Sequence, residues 1–376
     1  DTVDALGELA RYNIVRRREL DGDFDIIGLT GSVGKTTTKD LLSSLLATVG
    51  PTVAPVGSFN NEIGLPVSVL RLKPDCEAAV LEMGMNHFGE LSVLTRIAQP
   101  DLAVITNIGT MHIENLGSRE GILRAKLEIL EGLRPGGRII FNGDDTLLRP
   151  LAARYHAVCF GLSEGCDVRA SRVCESAEGS KFTVHAFGKS FEAALNVPGL
   201  HNVLDALAAA AVGLLLGLSP EQIAEGLRSY APLRQRVSHA AGMTIIDDCY
   251  NAGPESMRAA LRVLAGTPTE GRRIAVLGGM LELGDFAPEL HAGVGREAAK
   301  TADLLLAYGP CSECYVQGAH EAGLAGARAF ATHDALVAAL EETCRAGDTL
   351  LFKGSHGMHM EQVLARLLKT KEHMGE

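Results

Sequence analysis

Apolar residues along this chain come in short runs separated by stretches with helical spacing. The first run, 24–30, is brief and partly β-branched and reads as a buried strand, and the spacing after it predicts a helix over 35–49. Runs at 77–83, 101–106 and 138–142 read as further strands, with helices through 97 and over 118–133 between them. Strands alternating with helices imply a parallel sheet covered on both faces. Between about 155 and 197 the pattern turns to strict alternation, and 181–187 with 190–197 predict an antiparallel hairpin around Gly188 and Lys189. Helices follow near 200–216 and 219–229. Past Tyr230 and Pro232 a second α/β series begins. Its strands are expected near 243–248, 273–278, 303–307, 327–330 and 348–353, and its helices near 254–265, 287–301, 332–345 and 358–369. The restart predicts two domains with a hinge near 230–236.

A length of 376 residues agrees with two or three domains, and 46% hydrophobic against 22% charged residues excludes a disordered chain. The 42 glycines are scattered without a period, which suits many tight turns. A net charge of −11 argues against a general nucleic-acid coat. It does not exclude a polyanionic small molecule, held where metals, a few cations and backbone N–H groups converge. The longest apolar stretch, 206–218, is shorter than the roughly 18 residues that span a bilayer, and no leader pattern precedes the first strand. A cytoplasmic protein without membrane contact is expected. The eight cysteines are dispersed; Cys311 and Cys314 form a C-x-x-C without a second pair at zinc spacing. The basic run Arg16 to Arg18 reads as the solvated face of a helix or linker over 1–20.

The strongest chemical signal is Thr30-Gly-Ser-Val-Gly-Lys-Thr-Thr37, which follows a buried strand and opens a helix. Gly31 and Gly34 allow the backbone to wrap a phosphate, and the N–H groups of Ser32, Val33 and Thr37 lie on the same turn. Lys35 would reach the β- and γ-phosphates, and the Thr36 hydroxyl would hold Mg²⁺. The strict G-x-x-x-x-G-K-[ST] form is not met, because Leu29 stands at the first glycine. Glu82 ends one strand and His112 follows another, on the side where open α/β sheets bind ligands, so both are candidate metal ligands. Lys126, by spacing alone, is an ordinary exposed helix lysine.

Further motifs occur in order: 60–66, 82–90, 107–112, 117–120, Ala125-Lys126, 198–202, 247–251 and 353–355. With the phosphate loop, this set resembles the Mur ligases over about residues 20–370. Within that family it is most similar to members that add D-alanyl-D-alanine to UDP-N-acetylmuramoyl-tripeptide. The resemblance implies an α/β fold: a central P-loop ATP-binding domain over 21–232, and a Rossmann-like domain over 233–376 that closes on it. It implies ATP-driven amide formation through an acyl phosphate, with those two small molecules as substrates and a monomer as the expected state. By the same resemblance Thr36 and Glu82 hold one Mg²⁺, and His112 and a carbamylated Lys126 serve a second. His201 and Asn202 match the adenine-side motif, with Asn202 the base contact. Arg236 and Asp248 match nucleotide contacts, and Asn60, Asn61, Lys353 and Ser355 the acceptor side.

The sequence departs from the family pattern at Gly253 and Gly279, where Asn and Asp are usual, and at His356, where Arg is usual. All three fall in the second series and concern handling of the amine substrate. The family's N-terminal UDP-binding domain is expected to be lacking here, and UDP-substrate binding by this chain alone to be weak. Two other readings compete: another Mur or folylpolyglutamate-type amide ligase, and a nucleotide-binding module without ligation. Lys35, Thr36, Glu82, His112 and Lys126 argue against the last.

Overall fold

The computed structural model describes residues 1–20, 24–55, 57, 59–176, 178–231 and 236–374, and divides into two compact units, Asp1–Ala231 and Pro232–Glu376. The segment around Pro232 and the side chain of Arg236 lie outside the described residues.

The first unit begins with α1 (Thr2–Leu20), then β1 (Asp25–Thr30), α2 (Lys35–Leu46), β2 (Thr52–Val53), α3 (Gly64–Leu70), β3 (Ala78–Glu82), α4 (Glu90–Ala98) and β4 (Leu102–Ile105). It continues with α5 (Ile113–Leu116), α6 (Arg119–Leu127), β5 (Arg138–Asn142), α7 (Ala152–Tyr155), β6 (Val158–Gly161), β7 (Val168–Ser176), β8 (Gly179–Ala186), β9 (Lys189–Leu195), α8 (Leu200–Leu215) and α9 (Pro220–Ser229). Among the described residues its strands form one nine-stranded sheet, ordered β2-β3-β1-β4-β5-β6-β7-β8-β9. The pairs from β2 to β7 are parallel, and β7-β8-β9 extend the sheet antiparallel. From Ile26 to Thr30, β1 is buried throughout, as a central parallel strand covered on both faces must be. The alanine-rich α8 packs on this sheet beside α2, and their side chains share one core with β6 to β9. The expected hairpin turns at Phe187 and Gly188, both with positive φ (47° and 79°), the geometry whose twist matches that of the paired strands.

Three expectations change. Arg17 and Arg18 are not solvated: Arg17 Nη2 donates to the Cys76 carbonyl (2.7 Å), and Arg18 pairs with Asp101, so α1 is tied to the sheet. The helix expected over 118–133 is α only to Leu127 and then a 3₁₀ turn, Glu128–Gly132. There Thr95 Oγ1 donates to the Ile129 carbonyl (2.6 Å), and a Cβ on Gly132 would stand 2.2 Å from the Thr95 carbonyl oxygen, so packing against α4 tightens the turn. Lys126 is not exposed, as described below.

The second unit comprises β10 (Arg236–Ala240), β11 (Met243–Asp248), α10 (Pro254–Gly266), β12 (Arg273–Gly278), α11 (Ala287–Thr301), β13 (Leu304–Tyr308), α12 (Ser312–Glu321), β14 (Ala327–Phe330), α13 (His333–Thr343), β15 (Thr349–Lys353) and α14 (Met360–Met374). Its sheet order is β10-β11-β15-β12-β13-β14, parallel except for the β10–β11 pair. The hydrophobic pattern did not reveal β10 or α12. In α12 Gly318 is a packing residue: a Cβ there would stand 2.0 Å from the Ala292 carbonyl oxygen of α11.

Candidate nucleotide and metal site

The parallel strands β3, β1 and β4 lie side by side, and the connection leaving β1 runs to β2 on one side while that leaving β4 runs to β5 on the other, so the crevice beyond their carboxyl ends is a topological switch point. The loop of residues 31–34 sits there. Gly31 has φ 154°, and a Cβ on it would stand 1.8 Å from Thr106 Oγ1. The loop is pinned to the segment after β4: Val33 N donates to Asn107 Oδ1 (3.0 Å), while Thr106 Oγ1 (2.6 Å) and Asn107 Nδ2 (3.0 Å) donate to the Val33 carbonyl. Ser32 Oγ in turn accepts from Gly109 N (2.9 Å). Gly34, left-handed at φ 83°, starts α2 with no side-chain cap, so the first N–H groups of that helix keep their capacity for an anion. Lys35 Nζ folds back onto the loop, donating to the Gly31 carbonyl at 2.8 Å and the Ser32 carbonyl at 3.3 Å. Thr37 is half-buried on the same turn.

Thr36 and Glu82 meet as expected from their strand-end positions. Thr36 Oγ1 donates to Glu82 Oε2 at 2.9 Å, and Asn60 Nδ2 donates to Glu82 Oε1 at 2.8 Å, with Glu82 and Thr36 buried. Asn60 therefore positions the carboxylate. Asn61 does different work: its Oδ1 accepts from Gly64 N (2.8 Å) and Ile63 N (3.3 Å) and starts α3. His112 adopts φ 63° at the start of α5, in a loop that Arg119 braces by donating twice to the Ile108 carbonyl. Among the described residues no three His, Cys, Asp or Glu side chains gather into a metal cluster. Two hard oxygens, from Thr36 and Glu82, fit Mg²⁺, which commonly takes one or two protein carboxylates and completes its shell with phosphate and water.

Lys126 is only 2% exposed. Burial, and secondarily the Lys35 cation, push its ammonium well below the ordinary lysine range. Spacing misled here because one face of α6 is covered through to its last turn: Ile122, Ala125 and Lys126 are all buried.

Asn202 is buried in the first turn of α8, its Nδ2 donating to the Pro198 carbonyl (2.6 Å). One turn further, Asp205 was not singled out from sequence. Its carboxyl lies against the phosphate loop, so closely that a Cβ on Gly34 would stand 2.3 Å from Asp205 Oδ1. Burial raises its pKa well above the ordinary carboxylate range, against the opposing pull of the Thr38 hydroxyl. Lys39, also missed, is buried and donates to the Pro55 (2.8 Å) and Gly57 (3.0 Å) carbonyls, holding the segment that leads to Asn60.

In the second unit, Lys353 at the end of β15 is buried and donates to Asp248 Oδ2 (2.7 Å) and the Asn251 carbonyl (2.8 Å). Ser355 Oγ accepts from Leu281 N (3.0 Å) and donates to the Ala252 carbonyl (3.3 Å). These bonds join the loops after β11, β12 and β15. His291, absent from the sequence reading, supports the same loops: its Nε2 accepts from Met280 N (2.9 Å), and burial lowers its pKa, which favours the neutral acceptor form. Gly253 begins α10 without a side-chain cap, and His356 lies with its ring 6.0 Å from that of Tyr250.

A phosphate loop at a switch point with a hydroxyl–carboxylate pair beside it defines the class of P-loop nucleotide-binding proteins. Residues 29–213 match the Mur ligase middle domain, and residues 234–356 match the Mur ligase glutamate ligase domain. The chain is 38% identical over 375 residues to the UDP-N-acetylmuramoyl-tripeptide–D-alanyl-D-alanine ligase of Bacillus subtilis, covering 98% of this chain and 80% of that one. The Escherichia coli ligase of the same name is 34% identical, with 98% and 81% covered. The chain belongs to the Mur ligase family. Crystal structures of MurF from Acinetobacter baumannii (TM-score 0.90, 35% identity, 98% and 81% covered) and of MurF ligase from Thermotoga maritima in complex with ADP (TM-score 0.87, 30% identity, 100% and 85% covered) share its fold. Folylpolyglutamate synthase of Mycobacterium tuberculosis, at 16% identity and TM-score 0.74, shares the fold alone.

Proposed function

We infer that this chain joins D-alanyl-D-alanine to UDP-N-acetylmuramoyl-tripeptide, with cleavage of ATP to ADP and phosphate, in peptidoglycan precursor synthesis. The observation that carries the reading is the Thr36–Glu82 pair beside a phosphate loop with Lys35 folded over it, in a chain matched over 98% of its length by ligases of that name. The carboxylate of the tripeptide attacks the γ-phosphorus, and the P–O bond to ADP breaks. The amine of D-Ala-D-Ala then attacks the carbonyl carbon of the acyl phosphate. The resulting tetrahedral intermediate expels phosphate, and the amine gives up its proton. Anions meet in the first step, so the N–H groups of residues 34–37 at the uncapped start of α2 and the Lys35 ammonium hold the phosphates and offset their charge.

Mg²⁺, when bound, supplies further neutralisation at the phosphate oxygens. Thr36 and Glu82 would hold one ion; His112 and a carbamate on Lys126 would serve a second. Lys126 fits carbamylation because a buried amine beside Lys35 is pushed toward its neutral, nucleophilic form. Its nitrogen adds to the carbon of CO₂ and loses a proton, so a repelled cation becomes an anion attracted to Lys35. Incubation with ¹³C-bicarbonate should give a carbamate carbon resonance that Lys126→Ala lacks. Absence of that resonance in the parent protein excludes the modification without reference to activity. Asn202 is assigned to the adenine side. Arg236 and Asp248 are assigned to the nucleotide on the resemblance, and Asn60, Asn61, Lys353 and Ser355 to the acceptor side, Asn60 acting through Glu82. The test of the whole reading is ADP release with UDP-N-acetylmuramoyl-tripeptide, with and without D-Ala-D-Ala. Release that requires both supports it, and no release with any amine acceptor refutes it.

A further inference from the structure

The C-x-x-C at 311 and 314 plays no part in ligation as derived above. Cys311 precedes α12 in the left-handed conformation (φ 57°), and Cys314 N donates to the Cys311 carbonyl at 3.0 Å. That bond closes a tight turn, which holds the two Cα atoms within about 7 Å, the range a disulfide can bridge. Both residues are partly open to solvent, whereas Cys76, Cys159, Cys249 and Cys344 are buried.

The pair abuts the acceptor-side loops. A Cβ on Gly279 would stand 2.9 Å from the Pro310 carbonyl oxygen. Tyr315, next to Cys314, is fully buried; its hydroxyl donates to the Gly278 carbonyl (3.1 Å), and its ring stands 4.6 Å from His291, which holds Met280 N. We propose that Cys311 and Cys314 are a redox-active dithiol that a hydroperoxide closes to a disulfide, and that closure disturbs the loop of residues 278–281 and weakens acceptor binding. The Cys311 thiolate attacks one peroxide oxygen, the O–O bond breaks, and the departing oxygen leaves after protonation as the alcohol of the hydroperoxide, or as water where the oxidant is hydrogen peroxide. Cys314 sulfur then attacks the sulfenic sulfur; the S–S bond forms, the S–O bond breaks and water leaves. Two electrons pass from the thiols to the peroxide.

The effect on acceptor binding rests on the ligase reading; the thiol chemistry does not. The full chain is treated with hydrogen peroxide, alkylated, digested and mapped by mass spectrometry. A 311–314 disulfide should form about tenfold faster than the exposed Cys174 is modified, and dithiothreitol should restore both thiols. The oxidised protein should show a severalfold higher KM for D-Ala-D-Ala with the KM for ATP unchanged, and Cys311→Ser or Cys314→Ser should abolish that rise. Both thiols remaining alkylatable while Cys174 is oxidised overturns the proposal, and so does a disulfide that leaves acceptor KM unmoved. No ADP release by the reduced protein would instead refute the ligase reading, leaving the thiol map intact.

Discussion

Asp205 places a carboxyl group against the phosphate loop where burial favours its protonated form, and the consequence is measurable as a slope. Asp205→Asn keeps the shape and removes the titration. At pH below the ordinary carboxylate value of 3.8, folded and unfolded wild-type chains both hold the proton, and the two proteins share the same pH dependence. Above it the unfolded wild-type chain releases its proton while native Asp205 keeps it. The native state then binds one more proton than the unfolded state, and wild-type stability falls by about 1.4 kcal/mol per pH unit until the native pKa is passed. The asparagine variant escapes that loss. Urea denaturation of both proteins without nucleotide, at about pH 5 and about pH 6, should show the stability difference moving in favour of Asp205→Asn, by at most about 1.4 kcal/mol. A lost or gained contact would offset the whole curve but not tilt it, so the slope isolates the proton. Parallel pH profiles would show that the carboxyl is ionised beside Gly34 and that the burial argument is wrong.

Other perturbations have equally definite outcomes. Lys35→Ala should lower turnover by about 10²-fold or more, since one preorganised charge-stabilising donor is worth that much, while circular dichroism stays unchanged; near-normal turnover refutes the phosphate role. Thr36→Val leaves Glu82 Oε2 without its hydroxyl donor and should cost about 1–3 kcal/mol in denaturant unfolding while raising the Mg²⁺ concentration for half-maximal activity. Gly34→Ala forces a Cβ to within 2.3 Å of Asp205 Oδ1 at φ 83° and should lower the thermal midpoint, with partial relief in an Asp205→Ala background. Lys126→Met, in bicarbonate-free buffer, should be more stable than wild type at neutral pH. Unfolded Lys126 there takes a proton that the native amine resists, so the advantage should shrink as pH rises toward the ordinary lysine value of 10.5. A variant less stable than wild type at neutral pH would indicate that the native ammonium is well solvated or paired.

The sequence by itself determined the α/β alternation, the hairpin at Gly188, the phosphate loop and the strand-end position of Glu82. Each is written locally: buried parallel strands need continuous apolar runs, tight turns need glycine, and a phosphate turn needs glycines before a helix. The order of motifs along the chain was also enough to point to the family. Burial by distant elements was not legible. Lys126 looks like any helix lysine until the fold buries that face of α6, and Asp205 is one polar residue in an alanine-rich helix until that helix meets Gly34. Arg17 and Arg18 look solvated until α1 is seen bonded to Cys76 and Asp101. α12 was not legible, and its Gly318 is a close-packing residue against α11. A side chain's charge state and partner depend on what long-range packing brings to it, and only the tertiary structure decides that.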